Sequence, residues 1–367
     1  MTERLARIVL ACLSEPGTPG LAQAVAEHGP ERTLALTRAT SIGGQPMPAG
    51  RLTPDEVPAM LAEMERRGVR VLVAGDPEYP TQLLDLAEPP LALWVRGPLD
   101  LRMTALRSVA MVGARACTPY GERATHQLAE GMAQTGWAVV SGGAFGIDAA
   151  AHRVALGVDG PTVAFLACGI DVVYPRAHDA LLSRIADCGA VVSELPPGSF
   201  PLKHRFLARN RLIAAVSRGT VVVEAARRSG AIATANRALE LGREVMAVPG
   251  PITSMASAGV NRLLFEGSAR AVASAEEITS VLLAASAPQQ ATLPGLQPRG
   301  SAPADSTMSL SAAGRAVRAA LPGRGGLDVA VVAERVGVPA ADCLAELGVL
   351  EILGLARRTA RGWQGCG

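Results

Sequence analysis

Residues 69–283 alternate short apolar runs with segments of helical periodicity, and this alternation constrains the fold more than any other feature of the chain. The runs are Val69–Val73, Val109–Gly113, Trp137–Ser141, Thr162–Ala167, Ala190–Ser193, Thr220–Glu224 and Glu244–Val248. Strands that alternate with helices form parallel sheets covered on both faces. The sequence therefore predicts an α/β fold whose centre is a doubly wound parallel sheet.

Further modules are predicted on either side of this sheet domain. Residues 1–68 have short helical patterns interrupted by Pro and Gly, which indicates a small helical module of the SAM or helix-hairpin type. Residues 284–308 are rich in Ala, Pro, Gln and Ser without periodicity, as in a linker. Residues 309–367 contain three helical patterns and a basic hairpin, which is the outline of a winged helix.

Composition excludes several classes of protein. The 6 cysteines show no CxxC spacing and no paired histidines, so we expect neither a zinc site nor a disulfide framework. The longest uncharged stretch, residues 278–298, contains three prolines and three glutamines and cannot span a membrane. We therefore expect a cytoplasmic protein without a bound metal.

Positive charge is concentrated in residues 200–245. This window contains nine basic and three acidic residues, a local net charge of +6, whereas the whole chain carries +2. Such a concentration indicates a polyanionic partner, although a solvated helix face is the alternative. Phe206 and Asn210 lie among Lys203, Arg209 and Arg211, so the segment also offers a ring for stacking and an amide.

The segment from Ser141 to Asp148 follows a predicted strand and contains three glycines. In an open parallel sheet, ligands bind at the carboxyl ends of the strands, where Gly142, Gly143 and Gly146 would let an anion approach the backbone and a helix N-terminus. The pattern is not GxGxxG, so no dinucleotide cofactor is predicted. The alternatives are a phosphate site, which Arg115 and the basic run Lys203–Arg211 on the same edge favour, and a tight turn without a ligand.

Three acidic side chains and one histidine on this edge have less specific interpretations. His152 follows Asp148 by four residues, which is compatible with a metal or acid/base pair on one helix face, but no third ligand or nucleophile accompanies them. We therefore expect a buried or intrahelical structural role. For Glu194 and Glu224 we expect a helix cap or a pairing with an arginine.

A dozen motifs resemble, in order and spacing, those of the DNA-processing protein A (DprA/Smf) family, over about residues 70–270. They are Tyr79-Pro80, Pro89-Pro90, Val112–Arg115, Ser141–His152, Gly169–Asp171 with Tyr174-Pro175, Ser193-Glu194, Phe206 with Arg209–Arg211, Val223–Ala225, Ser229-Gly230, Pro249-Gly250 and Gly259–Asn261. The resemblance implies a Rossmann-like domain that binds single-stranded DNA without sequence preference and forms a homodimer. It further implies a non-catalytic protein that loads a RecA-type recombinase during natural transformation.

The resemblance also implies that Arg115, Lys203 and Phe206 line the DNA pocket, with the cations on phosphates and the ring on a base. Together with the basic segment and the strand ends, the residues predicted to contact DNA are Arg115, Ser141, Gly142, Gly143, Gly146, Lys203, Phe206, Arg209, Asn210, Arg211, Ser229 and Gly230. Ala114 stands where the family often has Ser, which removes one hydroxyl from the pocket.

Two features depart from a simple assignment. The segment Ser229–Arg237 also resembles the PGGxGTxxE motif of nucleoside-monophosphate phosphoribohydrolases, but Arg237 replaces the catalytic Glu, which makes this enzyme the alternative. The predicted recognition helix of the terminal module, residues 340–353, has three acidic residues and no Lys or Arg. Phosphates would repel such a helix, so we do not expect it to bind DNA.

Overall fold

In a computed structural model of the chain, the described residues are 1–39, 54–285, 311–323, 325–352, 355–359 and 362–366. Residues 43–46, a Gly- and Pro-containing interruption in the predicted helical module, and most of the predicted linker 284–308 lie outside them. The chain divides into two compact units, Met1–Ala287 and Pro288–Gly367, which are described separately. The module boundaries at residues 68 and 283 stay predictions. No helix in the described ranges is long and apolar enough to cross a membrane.

The first unit begins with helices and continues as alternating strands and helices. Its helices are α1 (Glu3–Leu13), α2 (Leu21–His28), α3 (Pro30–Ala39), α4 (Val57–Arg66), α5 (Leu101–Leu106), α6 (Pro119–Gln134), α7 (Ile147–Gly157), α8 (Asp179–Cys188), α9 (Lys203–Val216), α10 (Gly230–Glu240), α11 (Ala258–Phe265) and α12 (Ala275–Ala284). Its strands are β1 (Val69–Leu72), β2 (Leu93–Arg96), β3 (Ser108–Val112), β4 (Ala138–Ser141), β5 (Thr162–Leu166), β6 (Ala190–Ser193), β7 (Gly219–Val222), β8 (Glu244–Ala247) and β9 (Arg270–Ala271). Short 3-10 turns lie at Thr81–Asp85, Arg176–His178 and Met255–Ser257.

Within the described residues, these nine strands form one sheet in the order β1-β2-β6-β5-β4-β3-β7-β8-β9. All neighbours from β6 to β9 pair in parallel, which confirms the predicted α/β fold. At one edge, however, β1 pairs antiparallel with β2, and β2 antiparallel with β6. The prediction missed β2 because a 3-10 turn, and no α-helix, separates this strand from β1. It missed β9 because this strand consists of two exposed residues.

Alternate residues of each central strand face opposite helical layers, as period-two geometry requires. In β3, Ala110 and Val112 belong to the apolar cluster that includes Leu212 and Ile213 of α9. Val109 and Met111 belong to the cluster on the other face, with residues of α6 and α7. Helix α1 shares a third buried cluster with strands β1, β2 and β5, so the N-terminal helices and the sheet have a common core.

The second unit has three helices followed by a hairpin. These are α13 (Ala312–Ala320), α14 (Val329–Val336), α15 (Ala340–Ile352), β10 (Ala356–Thr359) and β11 (Gly362–Gly365), with the two strands antiparallel. Val317, Leu347, Leu350 and Trp363 are buried in its own apolar core. The predicted order of elements is thus present, while the winged-helix assignment of this unit stays a prediction.

Candidate nucleic-acid interface

A cleft of about 580 Å³ opens where the strand order reverses, between the carboxyl ends of β3 and β7. Ligands of doubly wound sheets bind at such switch points. Seven of the predicted contact residues line the cleft: Arg115, Lys203, Phe206, Arg209, Asn210, Ser229 and Gly230. Gly142 and Gly143 border a smaller depression next to it, whereas Ser141, Gly146 and Arg211 line neither. The fold therefore brings together segments that are more than 80 residues apart in sequence.

Phe206 lies at the centre of the cleft wall with a half-buried ring. The guanidinium carbon of Arg115 is 5.2 Å from the centroid of this ring, close enough for a cation–π contact. The ring of Tyr174 meets it edge-on at a centroid distance of 5.6 Å. Phe206 is therefore accessible rather than part of the core, and its position is fixed by its two neighbours.

Lys203 begins α9, and its side chain is exposed at the mouth of the cleft. The first turn of this helix also contains His204 and Arg205, and it contains no acidic residue. Cations near a helix N-terminus are repelled by the helix dipole, so this arrangement is locally unfavourable. Lys203, which lines the cleft, nevertheless makes it attractive to an anion, whereas His204 and Arg205 contact Glu15.

The opposite wall of the cleft is the N-terminus of α10. The Ser229 hydroxyl caps this helix by accepting a bond from the Ile232 N–H at 3.3 Å. The side-chain amide of Asn210 donates to the Gly230 carbonyl at 3.2 Å and so ties α9 to this wall. Asn210 consequently shapes the cleft, which is lined by Lys203, Phe206 and the start of α10.

The glycine-rich segment after β4 differs from the expectation that its N–H groups face an anion. Asp148 accepts the Gly142 N–H at 3.1 Å, so a carboxylate of the protein itself occupies this donor. A Cβ atom at Gly142 would overlap the Arg209 guanidinium, and one at Gly146, where φ is +75°, would overlap the Ala114 carbonyl. These glycines make room for protein atoms. Contact between this segment and a ligand stays a prediction.

Ser141 and Arg209 are both buried beneath the cleft. The Ser141 hydroxyl donates to the Met111 carbonyl at 2.6 Å, in the sheet interior. The Arg209 guanidinium donates to the carbonyls of Gly142 and Phe165, each at 2.6 Å. Burial raises the pKa of the Asp148 carboxyl, and the Arg209 charge opposes that shift. Arg209 therefore stabilises the floor of the cleft and is not a free cation on its surface.

Arg211 and Arg205 point away from the cleft and form ion pairs. Arg211 donates to both carboxylate oxygens of Glu194 at 2.5 and 2.7 Å, and to the Glu88 carbonyl at 2.7 Å. This confirms the prediction that Glu194 holds an arginine. Arg205 pairs with Glu15 at 2.8 and 3.1 Å. Both arginines therefore connect α9 to other parts of the protein.

The basic segment is consequently less positive than its sequence suggests. Besides the three arginines of α9, Arg237 pairs with Glu240 and Arg243 with Asp85, so at least five of the nine cations have partners within the protein. Among the described residues, Lys203, Arg227 and Arg228 are exposed and have no ion pair within 4.0 Å. The net charge of the window did not account for the ion pairs of Arg205, Arg211 and Arg243, because their partners Glu15, Glu194 and Asp85 lie outside it.

His152 and Glu224 have the structural roles expected of them. His152 is fully buried, its Nδ1 lies 2.7 Å from the Thr162 hydroxyl, and burial lowers its pKa to about 3. Glu224 accepts the N–H and hydroxyl of Thr118 at 2.9 and 2.6 Å, which fixes the start of α6. Across the described residues, no group of three or more His, Cys, Asp or Glu side chains could hold a metal ion.

Sequence reasoning missed two aromatic residues at the site. Tyr174 lines the cleft and Phe145 borders the adjoining depression, and both rings are more than two-fifths exposed. Both lie within the motif segments quoted above. In a chain with only 3% aromatic residues, rings beside the glycine-rich segment were a signal that could have identified them.

Comparisons with known proteins place this chain in a family. The model of the family described as DNA recombination-mediator protein A matches residues 70–283. A Mycobacterium tuberculosis protein, provisionally named as DNA processing protein DprA, is 42% identical over 97% of this chain and 92% of its own length. DNA processing protein DprA of Streptococcus pneumoniae is 42% identical over 54% of this chain and 70% of its own.

Two solved structures extend the comparison to the fold. The crystal structure of DprA from Streptococcus pneumoniae superposes with a TM-score of 0.63 at 33% identity, covering 76% of this chain and 98% of that one. DNA processing protein A from Helicobacter pylori, whose structure is described for its single-stranded DNA binding mode, gives a TM-score of 0.54 at 31% identity, covering 59% of this chain and 96% of that one. By its sequence and its fold, this chain belongs to the DNA recombination-mediator protein A family, the family of DprA and Smf.

Proposed function

We propose that the protein binds single-stranded DNA in the cleft without catalysing a reaction. The observation that carries this proposal is the arrangement of Phe206, Arg115 and Lys203, a partly exposed ring flanked by two exposed cations at the switch point of the sheet. Cations that follow the phosphates and a ring that stacks on a base form the usual site for single strands. The Helicobacter pylori relative, described for its single-stranded DNA binding mode, supports the same assignment.

A single strand fits this cleft better than a duplex does. A ring can stack on a base only where that base is out of a double helix, as in a single strand. The ring of Phe206 lies inside a cleft, whereas a reader of duplex DNA presents side chains on a convex helix or ribbon. The cleft provides backbone and stacking contacts but few groups for reading base edges, which favours binding without sequence preference.

The further expectations of the family also become proposals for this chain. We infer that the protein is a homodimer in the cytoplasm and that it loads a RecA-type recombinase onto strands entering by natural transformation. The name of the family model, a recombination mediator, supports this role. For the dimer, the segment between β8 and β9 offers the most exposed apolar side chains of the described residues, Ile252 (95%) and Phe265 (92%).

The phosphoribohydrolase is not favoured. Arg237, at the position of the catalytic Glu, is exposed on α10 and pairs with Glu240 at 2.6 Å. Asp148 is the one carboxylate lining the cleft within the described residues, and it is buried and bonded to the Gly142 N–H. The cleft therefore presents no free carboxylate to stabilise the positive charge that develops on the sugar during glycosidic cleavage.

A salt series of binding measurements tests the proposal. Fluorescence anisotropy of labelled single-stranded and double-stranded oligonucleotides should give affinities that fall with salt and favour the single strand. A preference for duplex, or an affinity insensitive to salt, would contradict it. The same protein should release no free base from nucleoside monophosphates, and release at enzymatic rates would establish the hydrolase instead.

A further inference from the structure

We propose that the binding site continues beyond the cleft onto a second stacking surface, formed by Phe145 and Tyr174, which takes the bases next to the one at Phe206. This inference rests on the proposed binding of single-stranded DNA and adds the path of the strand. It assigns Phe145, on the loop between β4 and α7, a direct role in contacting bases.

Phe145 and Tyr174 expose much of their surface to water. Their side chains are 48% and 43% exposed, whereas the rings of Tyr79, Trp94 and Phe165 are almost completely buried. An exposed ring contributes little to the stability of the free protein, because its apolar surface stays in water. Exposed aromatic residues beside a basic cleft are typical of surfaces on which bases stack.

The ring of Phe145 is also held in place rather than loosely attached. It packs against the ring of His178 with a centroid distance of 4.6 Å and an interplanar angle of 61°. His178 is buried, and its Nδ1 lies 2.9 Å from the Gly143 carbonyl. These contacts anchor the ring of Phe145 to the glycine-rich segment. A nucleobase that stacks on it would therefore require little loss of conformational entropy in the protein.

The second surface is continuous with the cleft. The depression that Phe145 borders shares Arg115, Ala144, Tyr174 and Phe206 with the cleft. The Tyr174 ring contacts Phe206 edge-on, and Arg115 stands at the boundary between the two spaces. A strand whose base stacks on Phe206 can therefore continue past Arg115, which meets a phosphate, towards Phe145. This continuity, together with the cation, favours bases over an apolar protein segment as the occupant.

Length-dependent binding tests the proposal. The full chain is titrated with oligothymidylates of about 4 and about 12 nucleotides, the range of site sizes found for single-strand binders. Phe145→Ala should weaken binding of the longer strand by roughly 5-fold or more, the loss expected for one stacked base, and should change binding of the shorter strand much less. Phe145→Tyr, which keeps the ring, should restore the longer-strand affinity.

A matched control is available at the opposite end of the sheet. Leu106, 49% exposed, ends α5 before the amino end of β3, far along the strand from the cleft. Leu106→Ala should leave both affinities unchanged. A fluorescent adenine analogue, placed in turn at each position of the longer strand, should be quenched at one more position by the wild type than by Phe145→Ala.

The outcomes separate this inference from the proposed function. If the wild type binds neither oligonucleotide, the proposed function fails. If it binds both with the expected salt dependence but Phe145→Ala behaves like Leu106→Ala, the second surface is refuted while the cleft stands. If Phe145→Ala alters the mass of the protein in solution and not its DNA affinity, the surface serves a second copy of the chain, which also refutes the inference.

Discussion

The charge that remains unpaired in the folded protein predicts how steeply DNA binding depends on salt. Arg115, Lys203, Arg227 and Arg228 are exposed around the cleft or on the β7–α10 loop and have no ion pair among the described residues. If each meets one phosphate, the log–log slope is about −0.7 for each contact, or about −2.8 in total. Raising the salt fourfold should then weaken binding about 50-fold.

The slope expected from the sequence alone is much steeper. The nine cations of residues 200–245 together with Arg115 would give a slope of about −7 and a loss of about 10⁴-fold over the same fourfold increase in salt. These two expectations differ by more than two orders of magnitude in affinity, so a titration at three or four salt concentrations distinguishes them. A slope steeper than about −5 would refute the charge accounting, because buried pairs would then have to open on binding.

Single neutralisations test which cations contribute to the slope. Lys203→Gln and Arg115→Gln should each lower its magnitude by about 0.7 and weaken binding to all sequences alike. Arg205→Gln is the matched control, because this arginine is in the same helix turn as Lys203 but pairs with Glu15. Its slope should equal that of the wild type. An equal reduction in the control would show that the pairing with Glu15 does not persist in the complex.

Four further predictions concern the site and its support. Arg115→Ala and Phe206→Ala should be non-additive in binding free energy by about 0.5–1 kcal/mol, since their contact is lost in either single variant; an additive double-mutant cycle would contradict this. Glu194→Gln, which leaves a buried arginine unpaired, should cost about 3–5 kcal/mol in urea unfolding without changing the salt slope, and a loss below about 1 kcal/mol would show that the pair is dispensable. Because burial lowers the pKa of His152 to about 3, the unfolded state binds this proton first, so stability should fall as pH drops below about 6.5, by at most about 1.4 kcal/mol per pH unit; His152→Gln should remove this component, and an unchanged pH profile would contradict it. Deleting residues 309–367 should leave single-strand affinity within about threefold, because α15 has acidic residues and no Lys or Arg, and a tenfold loss would show that the module binds DNA.

The sequence predicted the parallel strands almost to the residue because their apolar runs are local signals. Ala190–Ser193 matches β6 in both bounds, and the other predicted strands differ by one or two residues. The antiparallel edge was not predicted, since β2 is a run of only four residues and such a run does not reveal the direction in which it pairs. Pairing direction depends on which strand lies beside it, and this is a property of the tertiary fold.

The sequence predicted some of the residues that line the cleft, but it overestimated how many cations are free to bind a ligand. Arg115, Lys203 and Phe206 were expected together and do line one cleft. Arg205 and Arg211, in contrast, pair with residues that only the fold brings near, since Glu15 is 190 positions from Arg205. A sequence window contains the cations but not these distant partners, so its net charge is an upper limit on the charge available to a ligand.

The places where this chain departs from local rules lie at the cleft. Lys203 lines the cleft from the first turn of α9 and has no ion pair among the described residues, although the helix dipole disfavours cations there. Phe145 and Tyr174 leave much of their surface in water, although aromatic residues are scarce and the rings of Tyr79, Trp94 and Phe165 fill the core. Stability alone would remove such features, because acidic residues at Lys203 or a polar side chain at Phe145 would suit the free protein better. Their occurrence together at the switch point of the sheet is therefore best explained by a polyanion with exposed bases as the ligand. The unpaired cation would then contact a phosphate, and the exposed rings would stack on bases.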